Sequence, residues 1–337
     1  MSARIIHGEE GIRDSVELLR QGGVVGLPTE TVYGLAGNAF DPKAIARIFE
    51  AKGRPLTDPL IVHLPEASWI ERVVRFSSLE QREMVKRLAE AFWPGPMTLL
   101  LPKHPELPDL VTAGLGQVAV RVTAHPLFQK VLSRLNSPLA APSANRFGRI
   151  SPTSADDVRL ELGDSIDLIL DGGPCEHGVE STIVSIQGNH LEILRPGPIT
   201  EEQLKEYGHV VSPGGIVNTP GSLPGHYAPK KRLKIIDSDI MSFPAKTRIG
   251  LMAFHTSVKE ILGEFTSVEL LSASGDLKEA AANFYGALRR LDESDVDLIL
   301  AEPVPEEGIG VAIMDRLRRA SYGSYHGTGH QDSNSPA

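Results

Sequence analysis

Three short stretches set hydroxyls, carboxylates, cations and amides at spacings that suit a small polar ligand. The first is Pro28-Thr29-Glu30-Thr31-Val32-Tyr33-Gly34-Leu35, which follows the apolar run at residues 24–27 and so reads as the loop leaving a buried strand. Ligands of open α/β sheets gather at such strand ends. The second is Lys52-Gly53-Arg54-Pro55, where two cations flank a glycine at a helix end and can grip neighbouring phosphate oxygens, the guanidinium in bidentate fashion. The third, Pro142-Ser143-Ala144-Asn145, puts a hydroxyl and an amide two residues apart after another apolar run, suited to phosphate or ribose. Each has a plainer reading, as helix-end cations favoured by the macrodipole or as an ordinary Asn/Ser turn. Repetition of the pattern at one strand end after another favours chemistry.

Further polar residues stand inside or beside apolar runs. His63 lies within residues 60–64, where a satisfied core histidine is the commoner outcome. Arg121 lies inside the run Val118-Ala119-Val120-Arg121-Val122. Arginine is almost never buried unpaired, so Arg121 needs an anion, either a substrate carboxylate or an internal Asp or Glu. Gly178-Val179-Glu180-Ser181-Thr182 opens another strand, and Arg195-Pro196-Gly197 closes the hairpin that follows. The chain has no GxxxxGK[ST] loop, GxGxxG fingerprint, GxSxG elbow or HExxH helix, so a nucleotide must be held by some other arrangement.

The elements that position these residues alternate between strand and helix periods. Helices are expected near residues 12–22, 42–52, 78–92, 126–135 and 156–162. Strands are expected at 24–27, 60–64, 97–101, 118–122, 139–141 and 166–170, with a hairpin at 181–194. Residues 212–229 lose all periodicity around Pro220-Gly221-Ser222-Leu223-Pro224-Gly225 and read as a linker, ending in the unusually specific His226-Tyr227-Ala228-Pro229. A second α/β unit follows, with strands at 233–236, 249–254, 268–271 and 296–300 and helices at 257–265, 277–291 and 309–320, which implies a parallel sheet. The expected organisation is therefore a catalytic domain over 1–210, a linker over 211–231, a smaller domain over 232–321 and, from composition rich in Gly, Ser and His, a disordered tail over 322–337.

Bulk properties narrow the function classes. The 337 residues suffice for two domains of ordinary size. The single cysteine, Cys175, excludes a disulfide framework or a cysteine zinc finger. No apolar run reaches the ~20 residues of a membrane span, so no membrane association is expected and the cytoplasm is the expected compartment. Residues 1–210 carry 21 Lys and Arg against 27 Asp and Glu, and residues 211–337 carry 13 against 16. That acidic balance argues against stable nucleic-acid binding, which needs many phosphate contacts.

Taken together, these segments resemble the YrdC/YwlC family, the L-threonylcarbamoyladenylate synthases, in the long form with an extra C-terminal domain. The matching pieces are Pro28 to Leu35, Ala51 to Pro55, Pro59 to His63, Trp93-Pro94-Gly95-Pro96-Met97-Thr98, Val111-Thr112-Ala113-Gly114, Val120-Arg121, Ala141 to Asn145, Ser151-Pro152-Thr153, Gly178 to Ile183, Leu194 to Pro198, and His226 to Pro229. Gly308 to Met314 resembles the last helix of the extra domain. The resemblance implies an open twisted mixed α/β sheet with a concave basic pocket, then a Rossmann-like parallel domain. It implies that L-threonine, bicarbonate or carbon dioxide, and ATP give threonylcarbamoyl-AMP and pyrophosphate, the first step of tRNA threonylcarbamoyladenosine modification. Downstream tRNA threonylcarbamoyl-transfer enzymes are the implied partners.

Carried over by motif, Thr31, His63, Arg121 and Ser181 should surround threonine, with Arg121 on its carboxylate. Lys52 and Arg54 should be catalytic through the phosphates. ATP should meet Arg54, Asp58, Thr112, Ala141, Ser143, Asn145, Ser151 and Arg195, and Tyr227 should fold back over it, making the linker a lid. Asp58 departs from the asparagine of many relatives. An aspartate cannot donate to phosphate and is left with Mg²⁺ or a ribose hydroxyl as partners, or with a lesser role. Mg²⁺ should arrive on the triphosphate. The role of the C-terminal domain stays open between regulating, clamping the linker and recruiting the next enzyme. Three rival readings are a tRNA-binding module, disfavoured by charge; a hydrogenase-maturation carbamoyl-transfer enzyme, whose full form needs cysteine zinc fingers; and an unrelated amino-acid-activating ligase.

Overall fold

A computed structural model describes residues 2–188, 190–211, 225–236, 246–255 and 265–326. The first domain contains, in chain order, β1 (Arg4–His7), α1 (Gly8–Arg20), β2 (Val25–Leu27), β3 (Gly34–Asn38), α2 (Pro42–Lys52), β4 (Ile61–His63), α3 (Leu79–Phe92), β5 (Met97–Pro102), β6 (Gln117–Arg121), α4 (Pro126–Leu135), β7 (Leu139–Ala140), α5 (Ala155–Leu162), β8 (Leu168–Asp171), β9 (Thr182–Gln187), β10 (His190–Arg195), α6 (Glu201–Lys205) and β11 (His209–Val211). Short 3₁₀ turns at Ala67–Arg72 and Asp109–Thr112 complete it. The C-terminal domain contains β12 (Arg232–Ile235), β13 (Ile249–Ala253), β14 (Ser267–Leu270), α7 (Leu277–Glu293), β15 (Leu298–Ala301) and α8 (Gly310–His326).

One eleven-stranded mixed sheet runs β1-β8-β2-β3-β7-β4-β6-β5-β9-β10-β11, and a four-stranded parallel sheet runs β12-β15-β13-β14. This is the open mixed sheet plus smaller parallel domain expected from the sequence. The central strands β4, β6 and β7 meet in register, with His63 opposite both Arg121 on β6 and Leu139 on β7. The two site residues His63 and Arg121 are thereby brought side by side.

Local chemistry sets the helix ends that matter. The Asp41 side chain accepts from the Lys43 amide and Pro42 opens α2, as a capped start requires. Gly53 closes the helix at φ 59°, a left-handed conformation that favours glycine. Lys52 thus ends the helix and Arg54 leaves in a new direction. The turn that the sequence assigns between β2 and the next element is a hairpin, since β2 and β3 pair antiparallel.

Three strands escape the sequence reading: β1, β3 and β11. Gly34-Leu35-Ala36-Gly37-Asn38 has two glycines and little β-propensity, and it becomes a strand because its neighbours β2 and β7 pair with it on both sides. At the C-terminal end, α8 continues to His326, past the point where the tail was expected to begin. Once a helix is nucleated, each further residue adds a hydrogen bond, so weak formers are carried along. The expected helix at 257–265 lies, save Phe265, outside the described residues, as do residues 212–224 of the linker and the tail beyond 326.

Candidate active site

A cavity of about 530 Å³, counting the space at its mouth, opens between the β2–β3 hairpin loop and the ends of β4, β6, β7 and β9. Thr31, His63, Arg121 and Ser181 line it, together with Arg54, Ala141, Ser143, Arg195 and Tyr227. Segments up to about 200 residues apart in sequence therefore share one wall system, as the strand-end pattern requires.

On the amino-acid side, Arg121 Nη1 donates to the Thr31 hydroxyl at 3.0 Å, and Nη2 stands 2.6 Å from Glu30 Oε1. Of the two anions open to Arg121, the structure supplies the internal one. Glu30 also accepts from the Thr123 hydroxyl and the Ala124 amide. Burial alone would raise its pKa, but the Arg121 charge and these donors hold it down, at about 2. Arg121 Nε has no hydrogen-bond partner among the described residues, so a donor remains beyond the Glu30 pair. His63 stacks on Phe128 at 4.8 Å, and burial together with the Arg121 charge lowers its pKa to about 3. It is a neutral ring at physiological pH.

On the other side stand two more buried guanidinium groups. Arg54 Nε donates to the Asp58 carbonyl at 3.0 Å and Nη2 to the Pro59 carbonyl at 2.7 Å. Asp58 Oδ2 lies 2.9 Å from Nη2, and neither Asp58 oxygen receives a directed hydrogen bond, so the contact is ionic. Burial raises the Asp58 carboxyl above its usual range against the pull of Arg54, Lys52 and Arg195. Arg195 donates to the Ser181 carbonyl and, through Nη2, to its hydroxyl at 3.0 Å. The Ser181 hydroxyl is also 2.8 Å from Thr98 Oγ1. Three arginines, Arg54, Arg121 and Arg195, thus line one cavity.

The Sua5/YciO/YrdC family model, described as telomere recombination, matches residues 17–197, and a model described as the threonylcarbamoyl-AMP synthase C-terminal domain matches residues 199–321. The threonylcarbamoyl-AMP synthase of Pyrococcus abyssi is 39% identical over 322 residues, covering 92% of this chain and 94% of that protein. That of Bacillus subtilis is 39% identical over 330 residues, covering 93% of each. The crystal structure of P. abyssi Sua5 complexed with L-threonine superposes with a TM-score of 0.86 at 35% identity, covering 96% of this chain and 98% of that one. The chain belongs to the Sua5/YciO/YrdC family.

Other residues that the family resemblance assigned stand behind the wall. Lys52 Nζ donates to the carbonyls of Ser143 and Asn145, so it braces the third motif from beneath. Burial, with Arg54 beside it, pushes the Lys52 pKa well below the usual lysine range, against Asp58 and Glu161. Asn145 spends its amide nitrogen on the carbonyls of Arg146 and Arg149, leaving Oδ1 unbonded. Ser151 donates to Glu180 Oε1 at 2.6 Å. Of the assigned residues, Lys52, Asp58, Asn145, Ser151 and Thr112 do not line the cavity, and Thr112 is turned to other partners altogether. Its hydroxyl stays in its own turn, donating to the carbonyls of Asp109 and Leu115.

The linker's last residues, His226 and Tyr227, line the cavity. Tyr227 is buried in the cavity wall with a positive φ of 66°, unusual for an aromatic residue, and His226 beside it is 4.0 Å from Asp58. The sequence reading did not assign site roles to Glu30, Glu180 or His226. A carboxylate set beside hydroxyl residues at a strand end was the available signal for the first two. No helix among the described residues is long and apolar enough to cross a membrane.

Proposed function

We propose that this chain makes threonylcarbamoyl-AMP from L-threonine, bicarbonate or carbon dioxide, and ATP, acting as a nucleotidyltransferase that releases pyrophosphate. The observation that carries the reading is the convergence of Arg54, Arg121 and Arg195 on one cavity that also holds Thr31 and Ser181. Threonylcarbamoyl-AMP synthases that are 39% identical over nearly their whole length support it.

The Arg121 side suits threonine. Arg121 Nε, left over from the Glu30 pair, is placed for a carboxylate, and Thr31 and Ser181 offer hydroxyls. A neutral His63 accepts a hydrogen bond from an amine, but with a pKa near 3 it is too weak a base to strip an ammonium. Neutral threonine amine then adds to carbon dioxide, forming the carbamate N–C bond and losing one proton. A carbamate oxygen attacks the α-phosphorus of ATP, and the bond to pyrophosphate breaks. Such transfers are driven mainly by positioning and by neutralising phosphate charge, which Arg54 and Arg195 supply without any nucleophile.

Mg²⁺ belongs to this proposal as a passenger of the triphosphate, where it neutralises phosphate charge. Among the described residues no group of three or more His, Cys, Asp or Glu is arranged to hold a metal by itself. Asp58 does not fit as a ligand of the ion, because its carboxylate is fully enclosed, paired with Arg54 and outside the cavity lining. The adenylate would pass to a cytoplasmic tRNA threonylcarbamoyl-transfer enzyme. The deciding experiment incubates the protein with threonine, ATP, Mg²⁺ and labelled bicarbonate. Label should appear in an AMP-linked product only when threonine is present. Pyrophosphate release that is indifferent to bicarbonate would instead mark an ordinary amino-acid-activating ligase.

A further inference from the structure

Arg316 belongs to α8 of the C-terminal domain and is fully enclosed, with 0% of its surface exposed. A buried arginine needs partners, and three of those of Arg316 lie outside its own domain. Nε donates to Glu180 Oε2 at 2.7 Å and Nη2 to the Pro196 carbonyl at 2.9 Å, while the guanidinium carbon stands 5.3 Å from the centre of the Tyr227 ring. Nη1 donates to the neighbouring Asp315 at 2.6 Å. From α7, the Tyr285 hydroxyl reaches both oxygens of Glu180 at 3.0 Å.

Each of those outside contacts adjoins the site. Glu180 precedes Ser181, Pro196 follows Arg195, and Tyr227 walls the cavity. Ser181 and Arg195 are themselves bonded, with Nη2 of Arg195 at 2.9 Å from the Ser181 carbonyl. A single guanidinium therefore straddles the entry to β9 and the exit from β10 at the point where their two cavity residues meet. Simple adhesion between the domains does not require this placement. It is already served by Arg149 with Asp292, and by Arg289 with Asp157 and Glu161.

We propose that Arg316 is a positioning residue for threonylcarbamoyl-AMP formation. By holding the Glu180 carboxylate and the Pro196 carbonyl together, it fixes Ser181 against Arg195, and Tyr285 locks Glu180 in the same orientation. The C-terminal domain is then part of the working site, although none of its described residues lines the cavity. The proposal rests on the reaction assigned above.

The test uses the full chain and the labelled-bicarbonate assay, with kcat and KM for ATP and threonine and a melting curve for each variant. Arg316→Lys keeps the charge but loses the fork, and kcat/KM should fall about 10- to 100-fold, mostly through kcat. Tyr285→Phe should cost about 3- to 10-fold at a nearly unchanged Tm, the scale of one hydrogen bond. Asp292→Asn, a docking contact away from the cavity, should lower Tm while leaving kcat unchanged. In a Glu180→Gln background, Arg316→Lys should add less than about 3-fold, because both act through one contact. Should Arg316→Lys not fold, Tyr285→Phe decides alone. Folded Arg316→Lys and Tyr285→Phe proteins with wild-type kcat and KM would overturn the positioning role and leave the reaction standing. A wild-type protein that forms no labelled adenylate would overturn the reaction, and this proposal with it.

Discussion

Arg54 curls onto the loop that follows it, bonding the carbonyls of Asp58 and Pro59 and pairing with the Asp58 carboxylate, all of them buried. Removing it does two separable things. It takes a cation from the cavity, and it strands a buried carboxylate. Losing one preorganised charge-stabilising donor costs about 100-fold or more in turnover, and breaking a buried pair costs about 3–5 kcal/mol of stability. Arg54→Ala should therefore lose both activity and stability. In Arg54→Ala/Asp58→Asn most of the stability should return, while turnover of ATP stays low. Recovery of activity along with stability would show that Arg54 matters only as a partner for Asp58. Lys52 is a different case: it reads from sequence as a cavity cation, yet its ammonium is spent on the carbonyls of Ser143 and Asn145. Nothing in the spacing of Lys52-Gly53-Arg54 distinguishes a side chain that faces the ligand from one that braces the opposite loop.

Between elements, the tightest approach near the site is that of α7 to the Gly178 turn. A Cβ on Gly178 would meet the Ala281 carbonyl oxygen at 2.2 Å and the Ala282 Cα at 2.6 Å, and its φ of 68° is left-handed. Both faults are backbone against backbone and cannot be relieved by turning a side chain. Gly178→Ala should push α7 away and loosen Tyr285 on Glu180. Amide exchange should quicken in α7 and in the strand entry at Thr182 while β1 and β8, at the far end of the sheet, keep their protection. Unchanged exchange in α7 would contradict a docked interface of this closeness. The elements carrying a strong period, such as α2 with its Asp41 cap or β5 and β6 with their apolar runs, were legible from sequence. Gly34-Leu35-Ala36-Gly37-Asn38 was not, because its strand character comes from β2 and β7 rather than from its own residues. Nor could the sequence reveal that Tyr285 and Arg316 close on Glu180, since contacts between domains leave no periodic trace along the chain.

Across the whole molecule, what reads plainly from the sequence is the inventory of strand-end cations and hydroxyls, and what does not is how deeply their neighbours are buried. That burial has a consequence for acid stability. His63 and His226 both have pKa values lowered to about 3 from an ordinary 6.5, chiefly by burial and then by nearby cations. His125 and His177 are lowered too, again by burial first. Between pH 6.5 and 3 the unfolded chain therefore binds protons that the folded chain refuses, and stability must fall as pH falls. Glu30, held at about 2 against an ordinary 4.5, adds a further loss between those two values. Asp58, raised by burial, works the other way but is a single carboxyl against several groups. Two refused protons correspond to about 2.7 kcal/mol per pH unit in the middle of the window. Urea titrations at a series of pH values should give a stability that falls more steeply below about pH 6 than above about pH 7, where Lys52, its pKa lowered by burial, is the group that still refuses a proton in the folded chain. Phenylalanine at position 63 preserves the stack on Phe128 and removes one titrating ring. His63→Phe should flatten the slope between pH 6 and 4 by about 1.4 kcal/mol per pH unit, one proton's worth, whatever its effect on stability at pH 8. A slope identical to that of the wild type would mean that His63 takes up its proton in the folded protein, and that the ring beside Arg121 is not the neutral group that the threonine side of the cavity requires.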